Sequence, residues 1–207
     1  MSSTEFSLRR IAISAFGPSL LFGLGEGAIL PVIPLTALAL GASVPMAALM
    51  VALIGIGSLV SNIPASLITM RRGERWTIVA GAIWCALAMA LCGWAGHLVG
   101  FAIGCFMVGM SQAIFSLARQ SYLVEVVPIA YRARAMSTLG GTMRIGMFIG
   151  PFIAAVAIHR FGLVGAYGVG ITALLISGLV AARMPDLIVD EPVGAAREPA
   201  GNSRRSG

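Results

Sequence analysis

The sequence predicts an all-α polytopic membrane protein with six transmembrane helices. Three observations support this fold class: an apolar composition, six apolar runs of membrane-spanning length and a strong bias in the placement of arginine. Of the 207 residues, 58% are hydrophobic and 11% are charged, whereas a soluble domain carries about 25% charged residues. So little polar surface could not cover a soluble core. The chain therefore needs a lipid bilayer as its solvent.

Six apolar runs are long enough to cross the hydrocarbon core, which takes about 20 residues of helix. We predict spans at 11–40, 46–69, 77–96, 98–120, 135–158 and 162–184. The first run contains Pro18, Pro31 and Pro34, so we expect it to tilt or kink.

A cleaved signal peptide is the competing interpretation of the first run, with Arg9 and Arg10 as its basic region. The run is about twice the length of the apolar region of a signal peptide. It also contains Glu26. Both features favour a true span.

Arginine placement predicts the orientation, since all 14 basic residues are Arg. If the six helices thread up and down, Arg160 lies on one side and Arg144 lies inside a span. The other twelve share the opposite side: Arg9, Arg10, Arg71, Arg72, Arg75, Arg119, Arg132, Arg134, Arg183, Arg197, Arg204 and Arg205. We therefore predict a multi-pass protein of the cell (plasma or inner) membrane with both termini cytoplasmic. Short Arg clusters between apolar runs favour anionic lipid headgroups over nucleic acid as a partner.

The sequence divides into two parts. Residues 1–184 form the predicted six-helix transmembrane domain. Residues 185–207 are polar and rich in Gly, Pro and charge, which is typical of a disordered cytoplasmic tail or the start of a central loop.

Cysteine and histidine show no pattern of a cofactor or an enzyme. Cys85, Cys92 and Cys105 are odd in number and lie in apolar runs, so we expect them to pack as small hydrophobes. His97 and His159 lie at span ends. An intramembrane protease of the rhomboid type needs a Gly-x-Ser-Gly nucleophile and a histidine inside the membrane. The sequence has neither, and it contains no metal, phosphate or nucleotide motif, so we predict no cofactor and no enzymatic activity.

The link after the second predicted span resembles the signature loop of the major facilitator superfamily, G-x-x-x-D-R-x-G-R-R. Arg71, Gly73 and Arg75 match that motif, whereas Met70 replaces its Asp. In the family this Asp belongs to a charge network that helps control the conformational switch, so Met70 puts that role in doubt. The other departures are Ser66 and Glu74. A cytoplasmic basic cluster with a turn glycine is the competing interpretation.

The fifth predicted span contains Gly146-x-x-x-Gly150-Pro151. It resembles G-x8-G-x3-G-P-x2-G, the motif characteristic of the family's proton-coupled exporters, with Ser137 and Ala154 at two glycine positions. In the family this helix meets the other half of the molecule and helps prevent leak. Close packing of helices within one bundle would also explain these glycines.

The fourth predicted span also resembles its family counterpart, although Cys105 stands where many members carry an Arg. Its polar residues recur at i, i+4, i+7 and i+8, which places them on one helical face. They are Gln112, Ser116, Arg119 and Gln120. Such a face should look into a cavity or onto another helix.

Two charges lie deep in the predicted spans. With a rise of about 1.5 Å per residue, Glu26 lies roughly 20 Å and Arg144 roughly 14 Å from the cytoplasmic ends of their helices. We therefore expect their side chains to meet. Glu26 is a candidate proton-carrying or cation-binding acid with Arg144 as its coupling partner; a fixed ion pair that only holds helices together is the alternative.

The resemblance implies a bundle like the family's N-terminal half, built as a 3+3 inverted repeat, although no repeat is visible in the sequence. It also implies a secondary active transporter, with proton-coupled efflux of a small organic molecule. Family members have two six-helix halves with substrate between them, so the implied partners are protons, the substrate and a second half, either a separate chain or a second copy. A truncated non-transporting protein or a half-size subunit remains the alternative, and an intramembrane enzyme is less favoured.

Overall fold

The computed structural model describes residues 8–183, without the side chains of residues 8–15, 68 and 70–72. Within this part the chain forms seven α-helices and no strand. Their bounds are α1 Leu8–Ile29, α2 Val32–Ala39, α3 Val44–Arg72, α4 Glu74–Trp94, α5 Leu98–Val126, α6 Ile129–Phe161 and α7 Val164–Ala182. The predicted tail at 185–207 lies outside the described residues.

Six stretches of helix are long and apolar enough to cross a membrane, which confirms the predicted all-α, six-span fold class. The fourth and fifth spans are longer than the predicted 98–120 and 135–158. Their helices continue past the apolar runs until a residue stops them. Thus α5 ends two residues before Pro128, and α6 ends at Phe161, directly before Gly162, which has φ +68°.

The first span is broken, as its prolines predict. Helix α1 ends at Ile29, and α2 begins at Val32, directly after Pro31. Pro18 lies inside α1. Pro34 is the third residue of α2, where a backbone N–H would have no helical partner and its loss therefore costs little.

Helix packing has the pattern of a repeat. The main packed pairs are α1 with α6, α3 with α5, α4 with α5, α1 with α7, and α4 with α7. Exchanging the first three spans with the last three, in order, converts four of these pairs into one another and leaves the pair of α4 with α7 unchanged. Three crossings per unit reverse the direction of the chain, so the second unit is inverted relative to the first. This is the expected 3+3 bundle.

Glycines set the register of the two units. Gly23 of α1 lies against the carbonyl of Met143, and Gly109 of α5 lies against the carbonyl of Ile54. A Cβ at either glycine would overlap the facing carbonyl oxygen. Gly23 and Gly109 therefore hold equivalent positions in the two units.

The reciprocal contacts have the same register. Gly57 of α3 lies against the carbonyl of Phe106, and Gly146 of α6 lies against the carbonyl of Leu20. Each of the two tight helix pairs thus has a glycine on both sides. The contacts identify a repeat that residue-by-residue comparison of the two units does not reveal.

Substitution of Gly109 by Ala tests this packing. We expect Gly109→Ala to destabilise the bundle by about 1–3 kcal/mol, because the added methyl group forces α3 and α5 apart. A control is Gly55→Ala on α3, where a Cβ meets nothing within 4 Å and alanine favours a helix by about 1 kcal/mol. Thermal unfolding in detergent should show a lower midpoint for Gly109→Ala and an unchanged or higher one for Gly55→Ala. Equal midpoints for the two variants would contradict the close contact.

Candidate functional site

A cleft of about 340 Å³ opens between α1, α3, α5 and α6. Phe22, Phe115 and Met143 contribute apolar surface to it. Its polar lining consists of Glu26, Ser58, Asn62, Gln112, Ser116 and Gln120. The cleft therefore combines an apolar wall with a few polar groups, as small-molecule sites do.

Glu26 is the buried acid of this cleft. Its side chain is 2% exposed, and the amide of Gln112 on α5 approaches its carboxyl group. Within the described part of the chain, no group donates a hydrogen bond to Glu26 Oε1. The glycine register makes Glu26 and Gln112 equivalent positions of the two units. An acid and an amide thus face each other where the two units meet.

Arg119 is the cation whose charge acts on Glu26. Its guanidinium carbon lies 5.9 Å from the ring centroid of Phe115. The Phe115 ring stacks on Phe22, with centroids 3.8 Å apart and planes 10° apart. Two of the guanidinium nitrogens, Nε and Nη1, are buried without a hydrogen-bond partner among the described residues. Arg119 therefore lies beside an aromatic pair, and its Nε and Nη1 donate no hydrogen bond to the described residues.

The polar face predicted on α5 lies along the cleft. Gln112, Ser116 and Gln120 line it at intervals of one helical turn. The amide of Gln120 donates to the Ser116 hydroxyl at 3.0 Å. This face leads from the buried Glu26 towards the end of α5 at Val126. Arg119 lies beside it.

Arg144 does not meet Glu26. It is exposed on α6, and the structure forms no ion pair between these two residues. The reason is helix geometry: α6 turns its neighbours Met143 and Met147 towards Gly23 and Gly27 of α1. The expectation of a Glu26–Arg144 contact, based on depth alone, was wrong because depth does not specify the face of a helix.

Two polar residues of the cleft were not predicted from the sequence. Ser58 and Asn62 of α3 line it together with residues of α1, α5 and α6. Their i, i+4 spacing inside an apolar span was a usable signal, since neither carries a charge but both place a polar group on one helical face.

The signature loop packs onto the end of another helix of the same bundle. Gly73, with φ +77°, is the single residue between α3 and α4. Arg75 Nη2 donates to the carbonyl of Ala182 at 2.5 Å, and its guanidinium carbon lies 5.3 Å from the centroid of the Trp76 ring. Ala182 is the last residue of α7, so the arginine charge meets the negative end of that helix. Arg71 lies in the last turn of α3, and its side chain is outside the described part of the chain.

The small residues of the fifth-span motif face α1. A Cβ at Gly146 or Gly150 would overlap the α1 backbone, at Leu20 and Leu24 respectively. Helix α6 continues without a break through Pro151. These glycines therefore serve a contact within this bundle, which is the packing interpretation of the motif.

The described residues contain no group of three or more His, Cys, Asp or Glu side chains that could hold a metal ion. His97 has a structural contact at the start of α5, where its Nδ1 accepts a hydrogen bond of 2.9 Å from the Gly100 N–H. The polar lining of the cleft consists of one carboxyl group and several neutral polar groups, and the charge of Arg119 acts on that carboxyl group from beside the cleft.

Comparison with known proteins agrees with this architecture. The family model described as Major Facilitator Superfamily matches residues 16–205. An uncharacterized MFS-type transporter of Methanocaldococcus jannaschii is 22% identical over 169 residues, which cover 81% of this chain and 44% of that protein. The chain thus spans less than half the length of this relative. Because the family model covers nearly the whole bundle, the chain belongs to the Major Facilitator Superfamily, a family of membrane transporters.

Proposed function

We propose that the chain is one six-helix half of a secondary active transporter that exports a small organic molecule in exchange for protons. The observation that carries this proposal is Glu26, which is 2% exposed within a span and lines the cleft. An ionisable group in the membrane is costly and usually serves function. Glu26 Oε1 also lacks a donor among the described residues, so packing alone does not explain this acid.

Two opposed effects suit Glu26 to proton exchange. Burial disfavours the carboxylate, and the positive charge of Arg119 stabilises it. A substrate in the cleft that bears positive charge would shift this balance towards the carboxylate and release the proton. Protonation would in turn weaken the binding of that substrate. Competition of this kind couples the movement of the proton to the movement of the substrate.

The cleft favours a small organic molecule with an aromatic or cationic part. Its volume of about 340 Å³ lies at the small end of the range for ligand sites, roughly 300–1,000 Å³. Phe22 and Phe115 offer aromatic surface, to which cations bind well. Export as the direction rests on the likeness of residues 146–151 to the exporter motif.

A second six-helix half is the partner we propose. Helices α3 and α6 line the cleft but are the least buried of the six spans. Their outward faces expose large apolar side chains, among them Leu59, Ile63, Phe148 and Phe152. A second half, from another chain or a second copy, would cover these faces and close the cleft. Arg144, exposed on α6 beside Met143 of the cleft, would then contact substrate from the rim.

The competing proposal is that Glu26 and Arg119 only stabilise the bundle in a chain that transports nothing. Arg119 has two nitrogens without partners, and Glu26 has one such oxygen. A purely structural pair would normally satisfy these groups, because unsatisfied buried polar atoms cost about 1–3 kcal/mol each. The unsatisfied atoms favour a site that is completed by water or substrate.

Replacement of Glu26 tests the coupling role. We expect Glu26→Gln to abolish proton-driven export, because the amide cannot carry a proton, while the fold remains. The assay uses vesicles that hold the chain with its second half and ethidium, or another fluorescent organic probe that the wild type exports. Glu125→Gln, an exposed acid of α5, is the matched control and should export normally. Full proton-dependent export by Glu26→Gln would remove Glu26 from the mechanism.

Three arginine variants separate the roles of Arg119 and Arg144. In Arg119→Gln the carboxylate loses the nearby charge that stabilises it, so the pH of half-maximal export should rise. Arg119→Lys keeps the charge and should restore the profile. Arg144→Gln should leave the pH profile unchanged and raise the KM for the probe several-fold. The assignment is wrong if the pH profile moves with Arg144 and not with Arg119.

The orientation is tested with reporter fusions in whole cells. Both termini are proposed to be cytoplasmic, so green fluorescent protein fused after residue 207 should fluoresce. Alkaline phosphatase inserted after Gly162, between α6 and α7, should be active because that link lies outside the cell. Activity of the phosphatase at the C-terminus instead would invert the topology.

A further inference from the structure

Two of the three cysteines lie near each other where α4 packs against α5. Cys92 of α4 points towards α5: its thiol lies 4.0 Å from the carbonyl of Phe101 and occupies the space that a Cβ on Gly104 would need. Cys105 follows Gly104 directly and is the neighbour with the largest effect on the electrostatics of the Cys92 thiol. Both side chains are buried and unbridged.

The backbones of α4 and α5 approach each other closely beside the two thiols. Because Gly104 has no side chain, the Cys92 backbone nitrogen lies 3.3 Å from the site of the missing Cβ. A disulfide needs Cα atoms about 4.4–6.8 Å apart, and Cys105 is the next residue of α5 after this close contact. The link between these helices, residues 95–97, is only three residues long and keeps the hairpin together.

We propose that Cys92 and Cys105 are a redox-sensitive pair, which a membrane-permeable two-electron hydrogen acceptor converts into a disulfide that joins α4 to α5. In this reaction both S–H bonds break and one S–S bond forms. Two protons and two electrons pass to the acceptor. The product carries no charge and exposes no polar group, so the apolar surroundings tolerate it.

The pair lies near one end of the hairpin that α4 and α5 form. Cys92 lies two residues before Trp94, the last residue of α4, whose side chain is 80% exposed. The orientation proposed above places this end of the hairpin on the outer side, where oxidising conditions prevail. Opening of the last turn of α4 would give a small oxidant access. Cys85 lies two turns deeper and interacts with Ser111 and Glu26, so it is the internal control.

The test counts free thiols. Native membranes are treated with diamide, whose azo group accepts the two protons and two electrons and becomes a hydrazine. The protein is then denatured and labelled with a maleimide of 5 kDa. The untreated chain has three cysteines and should take three labels; the oxidised chain should take one, and prior reduction should restore three. Oxidation of glutathione enclosed in the same membranes shows that diamide enters.

Three variants assign the bond. After diamide, Cys85→Ala should take no label, whereas Cys92→Ala and Cys105→Ala should each keep both remaining thiols. Mass spectrometry of the digest should find the peptides of Cys92 and Cys105 joined, and non-reducing electrophoresis should show a monomer. The proposal is overturned if the wild type keeps three labels, if Cys92→Ala loses its thiols, or if the disulfide joins two copies. None of these results depends on transport activity.

Discussion

Close backbone contact between helices is the constraint on which this structure depends. In lipid, burial of apolar surface does not drive helices together, so packing and small residues must do so. Gly23, Gly57, Gly109 and Gly146 let α1 meet α6 and α3 meet α5 at the distance of a carbonyl oxygen. These four helices surround the cleft. Their spacing therefore determines the width of the site that contains Glu26.

The fold was largely predictable because the bilayer imposes simple rules. Span length, proline and arginine each have a direct physical meaning, and the six spans and the break at Pro31 follow from them. The bounds were less predictable, because helices continue beyond the apolar runs until a residue such as Gly162 stops them. The repeat was hidden because most equivalent positions differ in chemistry, as Glu26 and Gln112 do; the glycines at the contacts are among the few shared positions.

The polar face of α5 at the candidate site was predictable from the sequence, whereas the identity of the cation near Glu26 was not. Periodicity placed Gln112, Ser116 and Gln120 on one side of α5, and the structure has them along one cleft. Depth suggested Arg144 as the cation near Glu26, whereas rotation about α6 turns it away and Arg119 takes that place. Rotation between helices follows from their mutual packing, which no single span encodes. The contact of Cys92 with Cys105 eluded prediction for the same reason.

The asymmetry between Glu26 and Gln112 has an electrical consequence. Since the repeat places an acid on one side of its axis and a neutral amide on the other, the site as proposed holds one exchangeable proton. Exchange of that proton for a neutral molecule would move one net charge across the membrane in each cycle. A membrane potential of about 100 mV would add about 2.3 kcal/mol to the driving force. Exchange for a monovalent cation would move no net charge, and the pH gradient alone would then set how far the substrate accumulates.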